Sequence, residues 1–171
     1  QEHEPENWAQ TYKIGFLNTY LAAQLTGEIA VDPTVASYSG LLDVHKPDGW
    51  DEELVELFGI NPEILPEVVP SYSKMGELHK SMADALKLPA GISVALGGAD
   101  TAVTSFALGL QKHGDTFQSM GTSEVITFCL DTPKFSPAFM NRCHVIPGLW
   151  LSHGAMSTAG GAIGWLLKSM F

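Results

Sequence analysis

Cysteine, basic residues and long apolar runs are all scarce in this 171-residue chain. The two cysteines, Cys129 and Cys143, are too few for a disulfide framework, and neither has a metal-ligand partner at the usual spacing. No apolar run is long enough to cross a membrane. Nine Lys and Arg residues against nineteen Asp and Glu give a net charge of −10, which repels nucleic acid backbones. We therefore expect reduced thiols, a cytoplasmic location, and neither a membrane nor a nucleic acid as partner.

What the chain contains is typical of a globular protein. Apolar residues make up 45% and charged residues 16%, which is too apolar for intrinsic disorder. The acidic balance does not exclude a nucleotide, because backbone N–H groups can hold a single phosphate group. Residues 1–10 are polar and acidic, unlike a signal peptide. The chain starts without Met and stops within an apolar stretch, so we expect it to be a piece of a longer polypeptide.

The first 70 residues predict short helices joined by irregular segments. Apolar residues at helical spacing predict an amphipathic helix over 8–25, closed by Gly27. Residues 28–50 predict little regular structure, and 51–60 a short acidic helix with Leu54, Leu57 and Phe58 facing inward. Three prolines within 61–70 predict a turn-rich connector.

From residue 74 onward the pattern predicts a layered α/β domain. A strand, a helix, the apolar strand 92–98 and a helix over 101–110 follow one another, which favours a largely parallel sheet. A break at 111–114 separates this part from two strands joined by a tight turn at 120–122. Two more short strands and a final helix complete the order. Trp150 and Trp165 are expected to pack in the core, and the apolar side chains of the helix over 101–110 are Val103, Phe106, Ala107 and Leu110.

The first candidate site is Asp100, which follows Gly97, Gly98 and Ala99 at the junction of a strand and a helix. Ligands bind at the carboxyl ends of strands in open α/β sheets, and small residues let a ligand approach the backbone. A carboxylate there could accept a proton from a substrate hydroxyl. The competing interpretation is a purely structural helix N-cap, which Asp favours at this position.

Two further motifs are rich in small residues. Gly121, Thr122 and Ser123 form the turn between two strands, where N–H groups and hydroxyls suit phosphate oxygens. Residues 159–165 carry three glycines at the start of a helix, which leaves N–H groups open to an anion. Each also has a structural interpretation, as a hairpin turn and as close helix packing. The histidines have no metal-ligand spacing and are expected on the surface or in strands, so we expect no protein metal cluster.

Taken together, the motifs are similar to those of the FGGY family of carbohydrate kinases, and within it of the xylulokinase-like members. The resemblance covers nearly the whole chain, and the order of its motifs is more specific than any one of them. In chain order they are LTGEIAVDPTVAS at 25–37, LPAGISVALGGADTA at 88–102, GDTFQSMGTSEV at 114–125, HVIPGLW at 144–150 and AGGAIGWL at 159–166.

The resemblance implies an α/β fold of the ribonuclease-H-like, actin/hexokinase ATPase type, with two domains only partly present here. Residues 1–112 would be the latter part of the amino-terminal, sugar-binding domain. Residues 113–171 would open the carboxy-terminal, nucleotide-binding domain. The family's first phosphate loop, its adenosine motif and much of its sugar pocket have no counterpart in the chain, so residues 1–171 alone are expected to be inactive.

The resemblance also implies roles for individual residues. Asp100 would be the catalytic base that contacts the acceptor hydroxyl, with Thr101 helping to bind the substrate. Gly121, Thr122 and Ser123 would bind the nucleotide, with Thr122 near the β- and γ-phosphates. The backbone of Gly160 would lie near the same phosphates, as implied by the A-G-x-x-x-x-W motif that also includes Gly164. At Gly164, glycerol kinases carry a larger polar residue.

We therefore predict an ATP- and Mg²⁺-dependent sugar kinase that acts on a ketopentose such as D-xylulose. One alternative is a kinase of the same family for another acceptor, such as gluconate, glycerol, fuculose or erythritol. Another is a non-catalytic relative that only binds sugar or nucleotide, although the intact motifs argue against it. The sequence does not define the oligomeric state; a homodimer is one option.

Overall fold

A computed structural model describes residues 3–134, 136 and 138–170. The chain divides into two compact units, Gln1–Gly98 and Ala99–Phe171. Both mix helices with short strands. No helix within the described ranges is long and apolar enough to cross a membrane.

The first unit contains two small sheets. Strand β1 pairs with β2 in parallel, and β3 pairs with β4 antiparallel. Ala22, Ala30, Met75 and Leu96 form a buried apolar cluster within the unit. Its elements in chain order are α1 (Pro5–Ala9), α2 (Leu17–Thr26), β1 (Ala30–Val31), α3 (Pro33–Ala36), α4 (Glu52–Leu57), β2 (Glu67–Val68), β3 (Lys74–Glu77), α5 (Lys80–Leu86) and β4 (Ser93–Ala95).

The helix predicted over 8–25 is two helices, α1 and α2, with a non-helical segment between them. In that segment the N–H of Ile14 donates to the carbonyl of Ile64 at 2.8 Å, and the Lys13 ammonium donates to the carbonyl of Glu63 at 2.7 Å. These long-range contacts replace the helical hydrogen bonds. The predicted end is confirmed, because Gly27 adopts a φ of +85° and its N–H donates to Ala23.

The short acidic helix predicted at 51–60 is confirmed as α4, which Asp51 caps by accepting the Leu54 N–H at 2.9 Å. Of the predicted inward residues, Leu54 is partly buried, but the prediction was wrong for the other two. Val55 is the buried residue, whereas Leu57 and Phe58 are 76% and 57% exposed. Six residues make fewer than two turns, so the apolar spacing did not determine which side faces the core.

A buried carboxylate, Asp32, joins distant parts of the first unit. It accepts hydrogen bonds from the N–H and hydroxyl of Thr34, and from the hydroxyl of Ser71 at 2.8 Å. The Asn18 amide donates to its second oxygen at 3.3 Å. Because Asp32 is fully buried, these donors take the place of water around its charge. Asp32 therefore caps α3 and fixes the segment before β3.

The second unit is built on a four-stranded antiparallel sheet of order β5-β6-β8-β7. Ala102 and Leu110 pack with Cys129 and Leu151 of the sheet in one buried cluster. The elements are α6 (Asp100–Ala107), β5 (Thr116–Met120), β6 (Glu124–Leu130), β7 (Met140–Cys143), β8 (Trp150–Met156) and α7 (Ala159–Met170). The predicted hairpin, the two later strands and the final helix are all confirmed.

The largely parallel sheet predicted after residue 74 was wrong. The β3-α5-β4-α6 order is present, but β3 and β4 run antiparallel, and β1 with β2 is the parallel pair among the described strands. The apolar run 92–98 was the misleading signal. It forms only a three-residue strand in which Ser93 and Ala95 are exposed, so it is not the buried central strand that a parallel sheet requires.

The core packing predicted for two tryptophans differs from the structure, and so does the inner face of α6 from its apolar residues. Trp165 is 64% exposed on α7, and Trp150 is only partly buried. On α6, Val103 and Phe106 are more than 40% exposed, and the residues that face inward are Ala102 and Ser105. Small residues on the inner face let α6 lie close to the sheet, which the apolar spacing alone does not reveal.

The break predicted at 111–114 is an ordered turn inside the second unit. The Asp115 carboxylate accepts the N–H groups of Gln111 and Lys112 at 2.9 and 3.0 Å, and Gly114 has a φ of +89°. The Gln111 hydrogen bond is the main cause that lowers the pKa of the Asp115 carboxyl. The compact units divide earlier, after Gly98, while the boundary at 112/113 concerns domains of a longer protein and stays a prediction.

Replacing the buried carboxylate in Asp32→Ala should lower the free energy of unfolding by about 2–4 kcal/mol, because several buried donors lose their acceptor. Asp51→Ala is the matched control, since it removes a more exposed N-cap and should cost about 1 kcal/mol. Urea unfolding of the intact protein measures both. Equal losses for the two variants would contradict the anchoring role of Asp32.

Candidate active site

Asp100 is the first residue of α6 and has an exposed side chain. Ala99 occupies the N-cap position and offers no side-chain cap, so the competing interpretation of Asp100 as the N-cap was wrong. Its carboxylate accepts the N–H of Thr101 at 2.6 Å. A negative charge in the first turn is also favoured by the helix dipole. The carboxylate keeps further acceptor capacity for a ligand.

A pocket of about 180 Å³ lies beside this carboxylate, within the second unit. Helical spacing puts Asp100 and Thr104 on the same side of α6. The strands contribute residues at a spacing of two, which places those side chains on one face of the sheet. The lining therefore combines one carboxylate with four hydroxyls and two apolar side chains. The residues are Asp100, Thr101, Thr104, Phe117, Ser119, Val125 and Thr127.

Five of these lining residues are not among the site residues predicted from the sequence. Phe117 lies opposite Thr127, and Ser119 opposite Val125, in the hairpin of β5 and β6. The alternation of both strands was a usable signal, because it marks which side chains share a face. What the sequence lacked was the information that α6 covers this face. Thr104, four residues after Asp100, would have followed from helical spacing once that was known.

The second and third motifs meet at the tip of the hairpin. The N–H of Gly161 donates to the carbonyl of Thr122 at 3.3 Å. A Cβ atom added to Gly160 would lie 2.0 Å from the carbonyl oxygen of Gly121, closer than any real contact. The turn at 121–123 therefore packs directly against the first turn of α7. Glycine at 160 is what allows this approach.

The predicted residues thus form two groups along one hairpin. Asp100 and Thr101 of α6 line the pocket together with residues of β5 and β6. The second group lies at the exposed tip of the hairpin, beside Gly160, and consists of Gly121, Thr122 and Ser123. The groups are close along the chain, because Ser119 of the pocket is two residues from Gly121, about 7 Å of strand. Gly164 stands apart, since a Cβ there would meet nothing within 4 Å.

A buried hydrogen bond joins one lining residue of the pocket to the neighbouring strand. The hydroxyl of Thr127 on β6 is 2.9 Å from Nδ1 of His153 on β8, and both residues are less than 5% exposed. Burial, with a smaller contribution from the charge of Arg142, lowers the pKa of His153 to about 4. The ring is therefore neutral at physiological pH. The expectation that His153 lies in a strand is confirmed, but its contact with a lining residue of the pocket was not foreseen.

The described residues offer no ready-made metal centre. No three His, Cys, Asp or Glu side chains gather within the ranges that the structure covers. Asp100 is the single carboxylate among the residues that line the pocket. Magnesium is held in many phosphoryl-transfer sites by one or two carboxylates and the substrate phosphates, so one carboxylate beside hydroxyls fits that donor set.

Comparison with known proteins identifies the family. Residues 1–107, more than half of the chain, match the N-terminal domain of the FGGY family of carbohydrate kinases. The chain belongs to this family. Its similarity to FGGY proteins also extends beyond residue 107, because matches to individual relatives cover 96% or more of the chain.

Several relatives of the chain are kinases whose names give their substrates. A xylulose kinase of Lactococcus lactis is 35% identical over 170 residues, which cover 96% of this chain and 33% of the relative. An autoinducer-2 kinase of Enterobacter is 32% identical over 149 residues, which cover 86% of this chain and 28% of the relative. The chain thus spans about a third of the length of the relatives it matches.

Solved structures give the same fold. A xylulose kinase from Rhodospirillum rubrum superimposes with a TM-score of 0.88 at 30% identity, over 98% of this chain and 34% of that protein. A Plasmodium falciparum glycerol kinase with ADP has a TM-score of 0.84 at 22% identity, over 98% and 35% of the two chains. The mixed α/β fold of the actin/hexokinase-like ATPases, only partly present in this FGGY chain, is confirmed.

Substitution by Ala should affect stability in opposite directions at Gly160 and Gly164, two of the three glycines of α7. Gly160→Ala should lower the free energy of unfolding by about 1–3 kcal/mol, because the new Cβ overlaps the Gly121 carbonyl. Gly164→Ala, the control on the same helix, should raise it by about 0.5–1 kcal/mol, since the position is open and Ala favours helix. Denaturant unfolding of the intact protein gives both values. A stabilised Gly160→Ala variant would refute the contact.

Proposed function

We propose that the intact protein is an ATP-dependent carbohydrate kinase that transfers the γ-phosphoryl group of ATP to a hydroxyl of a ketopentose such as D-xylulose. The observation that carries this is the pairing of two sites along one hairpin. A carboxylate pocket adjoins the strands, and a turn with glycine, threonine and serine packs on a glycine-rich helix start. Membership of the FGGY family and the xylulose kinase relatives support the same activity.

Asp100 is proposed as the catalytic base. Phosphoryl transfer requires mainly alignment and charge stabilisation, with one group placed to take the proton of the attacking hydroxyl. A carboxylate is a weak base for a neutral alcohol, but the hydroxyl becomes acidic as the new P–O bond forms. The position of Asp100 in an open pocket therefore matters more than its basicity. Thr101, beside it, helps to orient the acceptor.

The hairpin tip and α7 are proposed to hold the phosphates of ATP. The first N–H groups of a helix have no acceptor inside it; at the start of α7 that of Gly161 donates to Thr122, and that of Gly160 can bind a phosphate oxygen. Thr122 supplies a hydroxyl and Gly160 a backbone N–H, while Gly121 and Ser123 shape the turn. For Gly164, which lies apart from the turn, we retain only a backbone role toward the nucleotide. Bound Mg²⁺ would neutralise charge on the phosphates, with Asp100 as the protein carboxylate near it.

The remaining expectations follow from this proposal. We place the domain boundary of the intact kinase at 112/113, with the sugar-binding domain before it and the nucleotide-binding domain after it. Both cysteines are free and buried, which agrees with a cytoplasmic location where thiols stay reduced. A homodimer stays a prediction.

The relatives of the chain differ in the substrates that their names give. Relatives include autoinducer-2 kinases, and the acceptors gluconate, glycerol, fuculose and erythritol remain alternatives within the family. Coupled detection of ADP with a panel of these compounds and D-xylulose would identify the acceptor. If no compound of the panel leads to ADP release, the result would instead support a non-catalytic sugar- or nucleotide-binding relative.

Asp100→Asn should lower kcat by about 100-fold or more, because the amide cannot accept the proton of the acceptor. Nucleotide affinity, measured by calorimetry with ADP, should change little. Asp84→Asn, on the exposed side of α5, is the control and should leave both values unchanged. Normal turnover by Asp100→Asn would show that the base is a different residue.

Thr122→Ala should raise KM for ATP about 3- to 10-fold, the effect of losing one hydrogen bond to the phosphates. KM for the sugar should stay close to that of the unmodified protein. Thr116→Ala removes a hydroxyl from the other end of the same hairpin and serves as the control. Steady-state kinetics with each substrate varied in turn measures the split. An unchanged KM for ATP would count against a phosphate contact by this hydroxyl.

A further inference from the structure

The buried pair of Thr127 and His153 has a chemical consequence for the pocket. The two residues lie directly opposite each other in the register of β6 and β8. Thr127 lines the pocket beside Asp100, whereas His153, next to Thr127 on the same face of the sheet, is not among the lining residues. The Nε2 atom of His153 is buried and has no hydrogen-bond partner among the described residues. The ring therefore makes one hydrogen bond, to the Thr127 hydroxyl.

The position of the ring proton follows from that arrangement. Burial keeps His153 neutral, so only one ring nitrogen carries a proton. Buried N–H groups without a partner are rarer than buried acceptors without one. The proton therefore belongs on Nδ1, which donates to the Thr127 hydroxyl oxygen.

This assignment leaves the hydroxyl proton of Thr127 available. A hydroxyl that accepts from His153 can still donate once, and no other acceptor for it is found in the described part of the chain. The neighbouring pocket contains one carboxylate and no Lys or Arg side chain among its lining residues. Without a bound cation that charge balance repels a phosphate group, and it suits an uncharged polyhydroxyl ligand.

We propose that Thr127 donates a hydrogen bond to an oxygen of the acceptor sugar held beside Asp100, and that His153 is the positioning residue that orients this hydroxyl. The proposal rests on the proposed sugar kinase function and adds a specificity-determining residue to it. Asp100 accepts from one sugar hydroxyl, and Thr127 donates to another oxygen of the same ligand. Together they fix the ligand at two points.

The first test compares Thr127→Val, which keeps the shape but lacks the hydroxyl, with Thr127→Ser, which keeps the hydroxyl. Thr127→Val should lower kcat/KM for D-xylulose about 3- to 10-fold, as expected for one neutral hydrogen bond, with KM for ATP unchanged. Thr127→Ser should stay within about twofold of the unmodified protein. Ser152→Ala, which removes a buried hydroxyl from the other face of β8, is the control.

The second test addresses His153 through two amides of different reach. The side-chain amide of Asn lies near the position of Nδ1, whereas that of Gln lies near Nε2. His153→Asn should therefore retain most of the kcat/KM for the sugar, while His153→Gln should lose about as much as Thr127→Val. Equal effects of Asn and Gln would overturn the positioning role. So would variants that lower only the melting temperature and leave the kinetics intact.

Two measurements keep this proposal separate from the activity itself. Ring-nitrogen NMR of the unmodified protein should show His153 neutral with its proton on Nδ1; a proton on Nε2 would overturn the assignment. Calorimetry with D-xylulose should show weaker binding to Thr127→Val than to Thr127→Ser. Binding with that difference but without ADP formation would refute the kinase and keep the Thr127 contact. No difference in binding would refute the contact even in an active kinase.

Discussion

The contact between the Gly121 carbonyl and the α carbon of Gly160 is the constraint on which the candidate site depends. A single methyl group at 160 would lie 2.0 Å from that oxygen, so the hairpin tip and α7 can meet only because the side chain is absent. The hydrogen bond from Gly161 to Thr122 then fixes their relative position. Two motifs separated by almost forty residues are joined by this approach, and neither alone would supply all the groups of the proposed phosphate site.

The pocket beside Asp100 depends on where the apolar core of the second unit ends. Cys129 and Leu151 are buried with Ala102 of α6, and this contact holds the helix on the sheet. Two residues before Cys129, the same face of β6 presents Thr127, and β8 presents His153 opposite it. The change from apolar to polar side chains along one face creates a cavity with hydroxyls instead of a filled core. The pairing of β6 with β8 thereby places both the apolar residues that pack against α6 and the polar residue Thr127 that lines the pocket.

Local features of this fold were predictable from the sequence, and features set by distant contacts were not. The αL cap at Gly27, the hairpin and the start of α7 depend on neighbouring residues, and all three were predicted. The interruption before α2 depends on Ile64, fifty residues away from Ile14, so helical spacing could not reveal it. The Thr127 and His153 pair was missed for the same reason. Its members are joined by strand register, while each alone looks like an ordinary strand residue.

The charge of the chain agrees with the way in which the proposed site would bind ATP. This chain, with a net charge of −10, has few basic side chains that could bind a triphosphate, and none of them lines the pocket of Asp100. Backbone N–H groups at a helix start carry partial positive charge without any basic residue. Recognition of phosphate by the α7 start and recognition of a neutral sugar by a carboxylate and hydroxyls need opposite electrostatic surroundings. The hairpin provides both, because its tip lies at the helix start and its strands lie beneath α6.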